Sequence, residues 1–410
     1  MQAITKIKPK ENAGWPQGFV LIDKPEPQIH HGNQVKLKIL AAGICGTDVG
    51  IYLSKDSLKT AMLKLENDRL TLGHEFCGQI AEIGDQAKMH LAKLLFNYPH
   101  KNQILAEFIN HRSIETLSQD NRLTDFLREN FVVSAEMHVT CGECYQCRLG
   151  DRHVCSRTII KGIHQDGAFA EYMVVRAEDL ILFAKDEIPV KIIAFMDAIG
   201  NATHTVQSAP VAGQNILILG CGIQGLAACA IARQLGAKKI FITDISHEQN
   251  GLSPEQLRQT KFRQAQSLGA DFCFDMATAT GKKLLYDTIR QETANVGVDL
   301  VYEMSGDYSA YTDAFQASRM GGTISLLGLP AGTLAVDFSK EVVFKGLKIQ
   351  GIIGRRVFES WEMMRSLLAS GLTQTFLNCG LPSLILPLAQ YQQGLDALIK
   401  GAAVKVVLKP

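Results

Sequence analysis

Short apolar runs alternating with polar residues, among them QVKLKIL, CGQIAEIG and AEYMVV, dominate the chain up to about residue 190 and are broken by Gly and Pro. A period of two with such punctuation predicts an irregular all-β domain. Two stretches depart from it. Residues 53–71 read as a polar connector. Residues 88–130 are rich in Leu, Phe, Glu and Arg, and Ile104, Leu105, Phe108 and Ile109, then Leu123, Phe126 and Leu127, recur at helical spacing. That spacing predicts two or three amphipathic helices inserted in the β domain.

From about residue 198 the rhythm changes to strand, helix, strand: NILILG, GLAACAIARQLGA and KIFITD, followed later by VDLVYEMSG and GGTISLLGLP. Buried strands alternating with helices predict a parallel sheet. After Lys345 mixed character returns, so the C-terminal part is expected to pack back on the first domain. The expected architecture is two-domain α/β: a β domain from 1–197 and 346–410, and a doubly wound domain over 198–345.

Composition narrows the function classes. A length of 410 residues suits two domains, and 46% hydrophobic with 20% charged residues describes a globular chain. A formal net charge of +1 gives no electrostatic footprint for nucleic acid or an anionic membrane. The opening MQAITKIKPKENAGW holds no apolar run of the kind a signal peptide needs, so a cytoplasmic protein is the expectation. Of ten cysteines, four fall between 141 and 155, a clustering that favours metal binding or redox chemistry over disulfides.

Gly220-Cys-Gly222-Ile223-Gln-Gly225 follows the strand NILIL and opens a helix, and Asp244 ends the next strand. Glycines in this context allow a tight turn, close approach of a pyrophosphate, and helix–strand packing. Asp244 as a ribose acceptor would repel a 2′-phosphate and favours NAD over NADP, although a solvated strand-end carboxylate is the plainer alternative. Cys141, Cys144, Cys147 and Cys155 form a thiolate set suited to a closed tetrahedral structural zinc. Cys45 with His74 and Glu75 supplies the ligand types of a catalytic zinc. Taken singly, Cys45 also reads as a small core residue and His74 as a strand-end histidine.

Together these residues resemble the zinc-dependent medium-chain alcohol and polyol dehydrogenases, and within them the L-threonine 3-dehydrogenase group. The matching text is GICGTDV, LGHEFCGQIAEIG, AEMHVTCGECYQC, GAFAEYMVV, DAIGNATHTV, GCGIQG, YEMSG, GGTISLLGLP and VFKGLKIQGIIGR-VFESWEMM. The resemblance spans most of the chain outside 88–130 and a short expansion near 246–260. It implies a GroES-like catalytic domain, a Rossmann domain, two zinc ions, NAD, a small alcohol or amino-alcohol substrate, and a homodimer or homotetramer. Carried over residue by residue, it makes Cys45, His74 and Glu75 catalytic zinc ligands and Cys141, Cys144, Cys147 and Cys155 structural ones. Thr47 becomes the hydroxyl that relays the substrate proton, and Asp197 a carboxylate near the zinc, for which helix capping is the competing role. Leu327, Gly328, Leu329, Ile352 and Ile353 fall on segments lining the nicotinamide half of the cofactor site.

Three features depart from the pattern. The family sequence after the cysteine is C-G-T-D-x-H, whose histidine extends the proton path, and here that position is Gly50. Glycine carries no proton, which predicts slowed oxidation near neutral pH. The segment 88–130 replaces a short connector. After Asp244 the chain reads ISHEQNGLSPEQL, with Ser253–Gln256 as a delayed helix start and Arg258 or Lys261 as the basic residue beside the ribose. The leading function is oxidation of L-threonine to 2-amino-3-oxobutanoate. Its alternatives are a polyol or other secondary-alcohol dehydrogenase, and an NAD-binding degenerate dehydrogenase with an interaction or regulatory role.

Overall fold

The computed structural model describes residues 1–99, 102–247 and 251–410. Two large sheets, one mixed and one parallel, dominate the described residues, as the sequence pattern predicts, beside a three-stranded and a two-stranded sheet. The first, seven-stranded, runs Leu180–Ala184, Phe131–Ala135, Phe76–Ile83, Gln34–Ile44, Val406–Lys409, Leu384–Pro387, with Tyr172–Arg176 also paired to Gln34–Ile44. The C-terminal strand thus returns to the first domain, pairing antiparallel with Gln34–Ile44 through Val406 and Ile44. Alternate residues of the long central strand, Val35, Leu37 and Ile39, are buried in one core with Phe76, Ile80, Val133 and Val406.

The second sheet is six-stranded and parallel, ordered Phe272–Asp275, Lys239–Asp244, Asn215–Leu219, Val298–Glu303, Ser318–Leu326, Lys348–Gly351. Counted along the chain this is the order 3-2-1-4-5-6, in which ligands sit outside the carboxyl ends where the order reverses. The sixth strand pairs with its neighbour through Ile349 and Ile324. It lies beyond residue 345, so sheet pairing moves the end of the parallel unit past Gly351.

Two further expectations are corrected. The connector 53–71 carries the helix Asp56–Leu63 and the short strand Arg69–Thr71, which pairs with Gln2–Ile7. The described residues of the inserted segment form four helices rather than two or three, Asp85–Phe96, Gln103–Ile109, Ile114–Gln119 and Leu123–Asn130, beginning before residue 88. Polar caps divide it: the Asn102 side chain accepts from Leu105 N at 2.9 Å and Ser113 from Thr116 N at 3.2 Å. These helices pack on the β domain. Leu91, Leu95, Leu105, Leu123 and Leu127 join the core of the β domain, and Phe108 stacks on Phe126 with centroids 3.7 Å apart.

Candidate active site

The central strand Gln34–Ile44 delivers Cys45 at its end, and the adjacent antiparallel strand starts immediately after Glu75. Pairing of Ala42 with Phe76, and a bond from Gly43 N to Glu75 O of 3.0 Å, bring those two chain ends together. One ligand atom each from Cys45, His74 and Glu75 consequently lies within 4.8 Å of the others. His74 and Glu75 are buried, and Cys45 is half-buried. Glu75 Oε1 and His74 Nδ1 have no hydrogen-bond partner despite their burial. Buried polar atoms without partners are costly, so a donor set of thiol, imidazole and carboxylate fits a divalent cation such as zinc.

The surroundings concentrate charge. Burial is the largest influence on His74 and lowers it, but the charges of Asp48, Cys45 and Asp197 outweigh it and lift the imidazole well above its ordinary value. Asp48 is fully buried, accepts from Cys45 N at 2.9 Å, and places Oδ1 3.7 Å from His74 Nδ1. Lys405, also buried, donates to Ile44 O at 2.9 Å and to Glu75 Oε2. Burial is the largest influence on Lys405 and lowers it, but Glu75, Cys45 and Asp197 outweigh it and raise the ammonium above its ordinary value. One oxygen of Glu75 is therefore held while the other faces the cluster.

Asp197 lies in the first turn of the helix Met196–Val206 without capping it; the N-cap is Phe195. Its carboxylate bonds Arg355, whose guanidinium also grips Glu136 at 2.5 and 3.0 Å. Trp361 Nε1 donates to Glu136 at 2.9 Å and completes the network. Gly200 makes room for the arginine stem, since a Cβ there would lie 2.3 Å from Arg355 Cδ. Arg355 is only 1% exposed, and two carboxylates share its one charge.

Thr47 sits half-buried on the first turn of the helix Gly46–Tyr52, beside Cys45. Gly50 lies one turn on, buried, facing the helix Asp56–Leu63. Nothing at Gly50 extends a proton path from Thr47.

In the cysteine loop the four sulfurs also lie within 4.8 Å of one another, with Sγ separations of 3.6, 3.8 and 4.0 Å for the pairs 141–155, 144–155 and 141–147. A tetrahedron with Zn–S of about 2.3 Å has edges of about 3.8 Å, so the spacing fits a closed site. Backbone N–H groups also point at the sulfurs, Cys144 N to Cys141 Sγ at 3.3 Å and Arg157 N to Cys155 Sγ at 3.4 Å. Hydrogen bonds from the backbone N–H groups of Cys147 and Ser156 lower the Cys144 thiol to about 5.

The glycine motif stands at the carboxyl end of Asn215–Leu219, next to the reversal of strand order. Gly220 follows the strand, Gly222 caps the helix Ile223–Gln234, and Ile223 opens it. Gly225 packs so tightly that a Cβ would lie 1.9 Å from Gly220 O, whereas one on Gly222 would meet nothing within 4 Å. That side leaves room for a group such as phosphate at the helix N-terminus. Asp244 pairs with Lys261 at 2.8 Å, while Arg258 turns to Glu255, so Lys261 is the basic residue at the acid. Ser253 caps the next helix through Gln256 N at 3.2 Å; residues 248–250 of this segment lie outside the described residues. Leu327, Gly328 and Leu329, and Ile352 with Ile353, follow the carboxyl ends of the fifth and sixth strands. Leu329 and Ile353 are 91% and 59% exposed, and Ile352 is buried.

Sequence reasoning assigned no role to Asp48, Glu136, Arg355 or Lys405. Asp48 had a signal, being a carboxylate directly after Thr47 in GICGTD. Lys405 and Arg355 had none, because their partners lie hundreds of residues away.

Family models place these elements. The alcohol dehydrogenase GroES-like domain matches residues 31–93 and 124–185, and the zinc-binding dehydrogenase domain matches 224–370. The break at 94–123 falls inside the four-helix segment. The L-threonine 3-dehydrogenase of Caldanaerobacter subterraneus subsp. tengcongensis is 32% identical over 410 residues, covering 100% of this chain and 99% of that protein. That of Shewanella frigidimarina is 33% identical over 409 residues, covering 100% and 99%. In structure the chain is similar to an alcohol dehydrogenase of Thermotoga maritima, with TM-score 0.75, 22% identity and 100% of both chains covered. It is also similar to galactitol-1-phosphate dehydrogenase of Escherichia coli, with TM-score 0.74, 21% identity and 100% of both chains covered.

Proposed function

Because the chain belongs to the zinc-dependent medium-chain alcohol dehydrogenases and is similar over its full length to L-threonine 3-dehydrogenases, we propose that it oxidises L-threonine to 2-amino-3-oxobutanoate with NAD. The observation that carries the reading is the convergence of Cys45, His74 and Glu75, with Asp197 near His74, in a chain that also carries the glycine cradle. Full-length similarity to L-threonine 3-dehydrogenases supports threonine as the substrate.

In this reading Cys45, His74 and Glu75 hold a zinc ion that, when bound, polarises the substrate hydroxyl and lowers its pKa. Thr47 would accept the hydroxyl proton while passing its own to solvent water, since Gly50 offers no side chain to take it. Asp48 sets a negative charge beside His74, and Lys405 fixes Glu75 so that one carboxylate oxygen faces the metal position. Gly220, Gly222, Ile223 and Gly225 position the pyrophosphate, and Asp244 with Lys261 takes the adenosine ribose. Leu327, Gly328, Leu329, Ile352 and Ile353 flank the nicotinamide. The substrate carbon loses a hydride to NAD and the oxygen a proton through Thr47, leaving a ketone and NADH. Cys141, Cys144, Cys147 and Cys155 hold a second, structural zinc.

One feature favours a second reading. Gly50 ends the side-chain path beyond Thr47, which fits a different secondary alcohol or polyol handled without that relay. Cytoplasmic location and assembly as a homodimer or homotetramer belong to the same proposal; the open edge strand Lys348–Gly351, with Val343 and Phe344 70% and 80% exposed near it, supports self-association.

The test is NADH absorbance with zinc-loaded protein offered L-threonine, sorbitol and butanediol. Turnover of threonine alone supports the proposal. Turnover of a polyol or diol instead favours the second reading, and NAD binding without turnover points to a degenerate enzyme.

A further inference from the structure

A cavity of about 240 Å³ opens between the loop after Val20–Asp23, Thr71 and the segment 161–174. It shares no lining residue with the Cys45–His74–Glu75 cluster or with the glycine cradle. Pro25, Tyr172 and Val174 give it apolar walls, and Lys24, Lys161 and Asp166 give it charge.

The charges around it do not balance. Lys24 pairs with Asp166 at 2.5 Å. Arg176 grips Asp179 through both carboxylate oxygens, at 2.7 and 2.8 Å. Both carboxylates that act on Lys161 are therefore already matched by another cation. Among the described residues, no hydrogen bond or ion pair satisfies the Lys161 ammonium. Burial lowers its pKa from the ordinary value, with Asp166 and Asp179 acting in the opposite sense. Its ammonium is thus left to the water of the cavity, where an anion would find a cation drawn partly out of solvent and not matched by protein.

We infer that this cavity binds a small organic anion, whose carboxylate or phosphate group pairs with Lys161 while its apolar body lies on Pro25, Tyr172 and Val174. The surplus positive charge selects the anion, and the apolar walls select a carbon skeleton over a bare inorganic ion. Lys24 stands at the same wall as a second donor, already held by Asp166.

Calorimetry and thermal melting of the zinc-loaded full chain, with sodium butyrate and with inorganic phosphate as probes, test the site. Saturable binding and a raised melting temperature are expected, stronger for butyrate. Tighter binding of phosphate would assign a phosphorylated ligand to the same site. Lys161→Met is expected to bind at least about tenfold more weakly, because it removes a charge-assisted hydrogen bond. Lys161→Arg is expected to retain binding. Lys161→Gln serves as a second neutral variant should the methionine protein fold poorly. Anion binding unchanged in the neutral variants, as a metal-bound anion would give, overturns the inference. So does the absence of binding by either probe.

Discussion

Gly50 and Leu58 face each other across two short helices: a Cβ on Gly50 would lie 2.7 Å from Leu58 Cδ1. The space a relay histidine needs is filled by the tip of a leucine. A histidine at this position therefore has to displace Leu58, and Gly50→His alone is expected to cost about 1–3 kcal/mol of stability by overpacking. The double variant Gly50→His, Leu58→Ala makes room. Its turnover at neutral pH is expected to rise by about tenfold, within the range of a single acid–base group. Superimposable rate–pH profiles for the double variant and the Leu58→Ala control would show that no relay is missing.

Glu136 titrates far from its ordinary range. Burial is the largest influence and pushes it up, but the Arg355 guanidinium and then His138 hold it well below the usual carboxylate value. A carboxyl depressed in the folded chain and near about 4.3 when unfolded contributes stability that is fully present above that value. This contribution is lost as pH falls toward the folded value. Unfolding free energy is expected to drop with acidification below about pH 5, and Glu136→Gln is expected to flatten that slope. At pH 7 the variant is expected to be about 3–5 kcal/mol less stable, as for breaking a buried ion pair. Denaturant melts across pH decide it; parallel curves for the two proteins would remove Glu136 as the source.

Tyr98, in the described part of the inserted segment, bonds Glu187 and accepts from Ala184 N at 2.7 Å. Arg365 lies over its ring, 5.4 Å from the centroid, and pairs with Glu187 at 3.1 Å. Tyr98→Phe keeps the ring and removes the two hydrogen bonds of the hydroxyl, while Glu187 keeps Arg365 and Ala184 N, so a loss of about 1–2 kcal/mol is expected. An unchanged denaturation midpoint would mean that the segment is not anchored through this contact.

Gly225 and Gly222 are expected to separate packing from cofactor binding. Gly225→Ala puts a methyl into Gly220 O and is expected to lower both the melting temperature and NADH affinity. Gly222→Ala meets no protein atom, so the melting temperature should stay and the affinity fall. NADH fluorescence titration beside thermal melting checks the contrast. A Gly222→Ala protein that binds NADH normally would place the pyrophosphate elsewhere.

Much of the fold was legible because its signals are local. Alternation marked the β domain, and the glycine motif between a strand and a helix marked the parallel unit. Convergence was not legible. Cys45 and His74 meet only because two antiparallel strands end side by side, which spacing along the chain does not encode. Arg355 joins Glu136 across 219 residues and Asp197 across 158, so the buried network around the site had no signature in any one stretch. The inserted helices were recognised by period, but their number depended on Asn102 and Ser113, polar residues whose side chains cap the start of a new helix.

Phe76–Ile83 and Phe131–Ala135 are sheet neighbours, with Gly78 opposite Val133, and the four helices leave from one strand and return into the other. Topologically the segment is an enlarged hairpin turn. Lengthening or shortening it changes no strand order and moves no residue of the Cys45–His74–Glu75 cluster, so this stretch can diverge among kindred enzymes while the chemistry stays fixed. The constraint falls on its inner surface: a lineage that discarded the helices would have to rewrite Ile80 and Phe131, which they now keep from water.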